Sequence, residues 1–155
     1  MIHHISIAVR DPHRVARAIA EIWQGSDFPF PPNPGSYVVF AGDDRGTVIE
    51  IYPLGSELVQ GESEVVFETN AFPPVFSATH AAISVPLDIT QIAKIASREG
   101  WRLLKAARGS LYEVIELWVE NNFLLELLTP EMVPAYLASM TPQTWQQVFS
   151  MPTAA

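Results

Sequence analysis

Four residues of this 155-residue chain combine side chains and spacing suited to holding a metal ion: His4, Glu50, His80 and Glu126. His4 and His80 are 76 residues apart, as are Glu50 and Glu126, and within each pair the histidine precedes the glutamate by 46. Two imidazoles and two carboxylates suit a divalent ion such as zinc, nickel, manganese or iron(II), with room left for water or substrate. Glu126 makes the strongest case. It lies in Leu124-Leu125-Glu126-Leu127-Leu128, where an ionised carboxylate is costly unless it is paired, hydrogen-bonded or bound to a metal. Alone it would read as a solvent-facing residue of an edge strand. Its counterpart Glu50, in Val48-Ile49-Glu50-Ile51-Tyr52, makes it part of a repeated set.

The elements that carry these residues repeat with the same offset. Ile5, Ile7 and Val9 alternate with His4, Ser6 and Ala8, and Ala81, Ile83 and Val85 alternate with His80, Ala82 and Ser84, so each histidine opens a strand. Each opening strand leads to an aspartate-capped helix. The first starts at Asp11-Pro12, carries Val15, Ala18, Ile19 and Ile22, and is expected to close at Gly25. The second starts at Asp88, carries Ile92, Ile95 and Ala96, and closes at Gly100. Strands follow at 37–41 and 47–52 around a Gly42–Gly46 hairpin loop, with 28–34 a proline-rich loop or distorted edge strand. In the second half strands are expected at 101–107, 113–119 and 123–128. Alternation puts all four candidate ligands on faces turned away from the helices. They share those faces with Ser6, Val38, Phe40, Tyr52, Ser84, Glu116 and Trp118, candidates to line a common concave cup.

These patterns divide the chain into a domain over 1–130 and a tail over 131–155. The domain comprises module one at 1–54, a linker at 55–77 that could hold a short strand at Val65-Val66-Phe67, and module two at 78–130. The tail is expected to form helices from Glu131 to Met140 and from Gln143 to Met151. The fold class is α+β: two repeated βαβββ modules forming an open barrel-like cup, plus C-terminal helices.

Composition narrows the chemistry. A formal charge of -8 with no basic run argues against nucleic acid or an anionic membrane as partner. The absence of cysteine excludes thiolate catalysis, disulfides and cysteine-ligated clusters. No apolar run approaches a membrane-spanning length and no signal peptide is evident, so a cytoplasmic location is the default expectation. Ser6 and Ser84 lack a suitable neighbouring base for a serine nucleophile.

The openings His4-Ile5-Ser6-Ile7-Ala8-Val9 and His80-Ala81-Ala82-Ile83-Ser84-Val85, with Glu50 and Glu126 in the last strands, resemble the vicinal-oxygen-chelate superfamily. That superfamily includes glyoxalase I, methylmalonyl-CoA epimerase, fosfomycin-resistance proteins and extradiol dioxygenases. The resemblance implies the glyoxalase-like fold and a metal held by His4, Glu50, His80 and Glu126. It also implies a small substrate with adjacent oxygens, transformed by lyase, isomerase or epimerase chemistry through an enediolate or enolate. Glu126 or Glu50 would serve as base, with Glu126 the first choice because it is desolvated. A homodimer is the expected assembly.

The sequence also departs from glyoxalase I. Ala8 stands where a glutathione-binding cation is usual, and Trp23-Gln24-Gly25 replaces the usual aromatic pair, which disfavours glutathione chemistry. Arg45, Arg102, Lys105 and Arg108 are basic candidates for the mouth of the cup. The competing readings are a non-catalytic, small-molecule sequestering protein of the same fold and an extradiol-type dioxygenase.

Overall fold

The computed structural model describes residues 2–149. Strand β1 (His4–Val9) buries Ile7 and Val9 on one side and leaves His4, Ser6 and Ala8 on the other. Helix α1 (Pro12–Trp23) follows from a conventional start: the Asp11 carboxylate accepts the Arg14 N–H, and Pro12 occupies the first turn. Its end differs from expectation. Gln24, not Gly25, takes the left-handed cap at φ 54°. Gly25 serves a different need, because a Cβ there would lie 2.0 Å from the Phe40 carbonyl oxygen. Three strands complete the module: β2 (Ser26–Pro29), an edge strand, β3 (Tyr37–Phe40) and β4 (Val48–Pro53). The sheet order is β1-β4-β3-β2, with β1 parallel to β4.

The segment between modules holds more structure than one short strand. β5 (Ser56–Gln60) and β6 (Val65–Thr69) form an antiparallel hairpin whose Phe67 ring meets Tyr52 edge-on at 5.3 Å. The βαβββ order then repeats with β7 (Ala81–Ser84), α2 (Ile89–Glu99), β8 (Arg102–Arg108), β9 (Tyr112–Val119) and β10 (Phe123–Leu128), arranged β7-β10-β9-β8. A capping box between Asp88 and Gln91 starts α2, and Gly100 closes it at φ 70°. Two tail helices follow, α3 (Val133–Ser139) and α4 (Pro142–Phe149); the expected end at Met151 lies outside the described residues.

Among the described residues the two four-stranded sheets are separate, and no closed barrel forms. Their helix-facing sides share one core, in which Val15, Ile19, Ile49 and Ile51 of module one join Ile92, Leu117, Leu125 and Leu127 of module two. Polar ties cross between the modules. Arg14 pairs with Glu99 and Arg98 with Glu21, each at 2.7 Å, and the Trp23 indole N–H donates to the Ser84 carbonyl at 3.2 Å. Glu120, itself left-handed at φ 49°, accepts the backbone N–H groups of Arg10 and Asp11 at 2.6 and 2.8 Å. These ties lock the start of α1 to the β9–β10 turn.

Candidate functional site

The parallel pairing of first and last strands places the candidate ligands in the same register twice. Ser6 lies opposite Glu50 and Ala82 opposite Glu126, while His4 and His80 each stand two residues before those positions. Glu50 and Glu126 therefore take matching positions on their sheets, on the face turned away from α1 and α2; His4 opens β1, but His80 lies just before β7 and not in it as expected. His4 and His80 are exposed and line one open cleft of about 990 Å³, together with Trp23, Arg45 and Tyr136.

The two glutamates meet different surroundings. On sheet one, Glu50 Oε2 accepts the Ser6 hydroxyl at 2.9 Å and the Tyr52 hydroxyl at 2.5 Å. Burial, followed by the bond to Glu50, pushes the Tyr52 hydroxyl up to about 12, so it remains a donor at neutral pH. Tyr52 packs near Phe30 and Phe67, and Phe28 meets Phe40 edge-on, giving this face an aromatic lining.

On sheet two, Glu126 is buried at 8 % exposure in β10, a central strand, so the edge-strand reading fails. Its charge is met by the Arg108 guanidinium, which reaches over from the end of edge strand β8. The same Arg108 Nη2 pairs with Glu116 at 2.8 Å, and Glu116 lies directly opposite Glu126 across the β9–β10 ladder. Two like charges in such a cross-strand pair repel, and the guanidinium between them relieves this. Hydrogen bonds to Glu126 and Glu116 in turn hold Arg108 even more firmly protonated. Trp118 Nε1 gives Glu116 a longer contact of 3.4 Å.

The tail covers part of this second face. Val114 and Leu128 share its parity yet are 0 % and 3 % exposed, whereas Phe28 and Phe40 on sheet one remain 54 % and 41 % exposed. Helix α3 packs on β9, its Tyr136 ring meets Tyr112 at 5.1 Å, and Ser139 donates to the Leu111 carbonyl at 3.0 Å. Burial, then the nearby Glu126 charge, raises the Tyr112 hydroxyl above its ordinary value.

The donor set fits a divalent metal in kind. A backbone carbonyl can only accept, so the 3.1 Å contact of His80 Nδ1 with the Ala78 carbonyl places the ring hydrogen on Nδ1. In the neutral form of the ring Nε2 would keep its lone pair free, an arrangement common among metal-binding histidines. In number, each module contributes one histidine and one glutamate. Among the described residues no group of three or more His, Cys, Asp or Glu side chains is placed to hold one ion.

The remaining residues proposed from sequence fall into local groups. Ser6 and Tyr52 join Glu50, Phe40 joins Phe28, Trp118 joins Glu116, and Ser84 engages Trp23 through its carbonyl. Arg108 was visible only as one of several cations. Lys105 and Arg45 are taken by Glu113 and Asp44 at the surface. Among the described residues no helix is long and apolar enough to cross a membrane.

No family model and no curated protein matches the sequence. Solved structures do match in shape. A fosfomycin resistance protein, FosX, from Listeria monocytogenes, complexed with Mn(II) and sulfate ion, is similar over 96 % of this chain and 97 % of its own, with 13 % identity and a TM-score of 0.56. FosX from Mesorhizobium loti aligns over 82 % of this chain and 88 % of its own, at 16 % identity and a TM-score of 0.51. A glyoxylase/bleomycin resistance protein/dioxygenase domain from Frankia sp. EAN1pec aligns over 82 % and 94 %, at 15 % identity and 0.51. At such identities the likeness speaks for architecture, and it agrees with the repeated βαβββ order. The chain has the glyoxalase-like fold.

Proposed function

We propose that the chain is a metal-dependent lyase, isomerase or epimerase for a small substrate with adjacent oxygens. One observation supports the reading: Ser6 and Glu50 on one sheet and Ala82 and Glu126 on the other pair in the same parallel register, each two residues after a histidine. His4 and Glu50 would form one half-site and His80 and Glu126 the other; the two histidines line one cleft of the same chain, and a homodimer would set a second copy against the open faces. The exposed Phe28 and Phe40 on the open face of sheet one suit such burial. A bound divalent ion would supply Lewis-acid polarisation of the substrate oxygens.

The chain's own residues would bind the substrate and move its proton. The choice of base passes here from Glu126 to Glu50. The Arg108 guanidinium already occupies the Glu126 carboxylate, whereas Glu50 holds only the neutral donors Ser6 and Tyr52. The aromatic rings about Tyr52 would exclude water from that proton transfer.

Metal analysis of protein purified without chelator tests the reading. Wild type is expected to retain a divalent metal and His80→Ala to lose it; a metal-free wild type, or equal content in the variant, would overturn it. Sedimentation tests the dimer. A second reading, a metal-free cup that sequesters an apolar small molecule, gains from the ready neutralisation of Glu126 and the aromatic lining of sheet one.

A further inference from the structure

The repeat supplies its own template for what sits on these carboxylates. On sheet two a guanidinium, that of Arg108, reaches Glu126 from the edge strand. By the offset of 76, Arg108 corresponds to Pro32, so sheet one has no such arm. Among the described residues no lysine or arginine pairs with Glu50. Its bonds come from Ser6 and Tyr52, and both end on Oε2. Oε1 is left to solvent, because no buried side-chain oxygen among the described residues lacks a partner. Around it the register places rings instead of charge. Val38 lies opposite Glu50 and Phe40 opposite Val48, which makes Phe40 the diagonal neighbour of Glu50. Phe28 lies one strand farther out, edge-on to Phe40 at 5.9 Å. Tyr52 and Phe30 border the other end, their centroids 6.0 Å apart.

We propose that the open face of sheet one binds a small molecule bearing a guanidinium group, which takes on Glu50 the place that Arg108 takes on Glu126. A guanidinium is planar and forked, so it can give charge-assisted bonds to Oε1 while the apolar body attached to it lies against Phe40 and Phe28. Attraction between the cation and the ring faces adds to this. The formal charge of -8 favours the approach of a cation from solution. The inference goes beyond the metal reading and does not rest on it: it needs only the carboxylate and the rings.

The test is calorimetric titration of the full chain with benzylguanidinium, as purified and again with chelator present, with metal content and sedimentation measured on the same sample. N-benzylurea keeps the shape without the charge, and benzyltrimethylammonium keeps the charge without the fork; each should bind at least about tenfold more weakly. Glu50→Gln should weaken benzylguanidinium by about tenfold or more, and Phe40→Leu by about threefold. Binding that appears only with chelator upholds the proposal and shows that an ion and the guanidinium compete for Glu50. No binding under either condition, equal binding of either analogue, or undiminished binding by Glu50→Gln would overturn it. The analogues are read on wild type, so they decide the matter even if a variant fails to fold. A chain that sediments as a dimer and binds no guanidinium compound assigns the face to a second copy and also overturns it. Metal content judges the metal reading separately: a metal-bearing chain that binds no benzylguanidinium after chelation keeps that reading and loses this one.

Discussion

On sheet one Glu50 lies opposite Ser6 on one neighbouring strand and Val38 on the other, with Tyr52 two residues along its own strand. On sheet two Glu126 lies opposite Ala82 and Glu116, with Leu128 two residues along. The backbone register is shared, but two hydroxyl donors on sheet one are replaced by Ala82 and Leu128 on sheet two. A buried carboxylate stripped of those donors needs another partner, and Arg108 supplies it from an edge strand. The repeat therefore conserves the position of each carboxylate while its partner differs: neutral hydroxyls around Glu50, a guanidinium at Glu126. The covers differ too. Helix α3 buries part of sheet two's face, whereas aromatic rings on sheet one remain exposed.

The comparison breaks most sharply if the two cores are unlike. Ile49 and Leu125 occupy equivalent core positions at 1 % exposure, so Ile49→Ala and Leu125→Ala should each cost about 2–5 kcal/mol in denaturant unfolding. A large gap between them would show that the modules differ beneath the sheets as well as above them. The next test addresses the carboxylates. Glu126→Gln removes the charge facing Arg108 and should cost about 1–2 kcal/mol after allowance for partial exposure, while Glu50→Gln, whose amide oxygen can still accept from Ser6 and Tyr52, should cost less than about 1. Equal losses would mean that the two environments are energetically alike.

A spectroscopic test reads sheet one alone. A tyrosine ionising at about 12 should appear in an alkaline absorbance titration and move down in Glu50→Gln, because the carboxylate helps to raise it. The smallest effect concerns the tie between modules. Burial pushes the Glu99 carboxyl up, but bonds from Arg98 and Arg14 outweigh it and the net shift is downward. A group lowered in the folded state stabilises at neutral pH and loses that contribution as pH falls through its folded value. Glu99→Gln should therefore flatten the acid limb of the stability–pH profile, measured by denaturant unfolding at each pH.

The modular plan was legible because strand alternation and the offset of 76 are both properties of linear order. The helix starts at Asp11 and Asp88 were legible for the same reason, since caps act over three residues. What escaped depends on distant neighbours. Gln24 takes the left-handed cap while Gly25 meets the Phe40 carbonyl, a constraint set by another strand. Arg108 reaches Glu126 only once β8, β9 and β10 are in register, so its role has no local pattern. The hairpin at 56–69 was partly concealed by acids that occupy its solvent side.

Glu120 grips the amides of Arg10 and Asp11 from about 110 residues along the chain. During synthesis from the N-terminus, α1 must therefore emerge with those amides still hydrated, and its first turn gains this anchor only after the β9–β10 turn has been made. This long-range polar clasp thus forms late in a growing chain, and a ribosome-bound fragment ending before residue 120 should hold the start of α1 less firmly than the finished protein does.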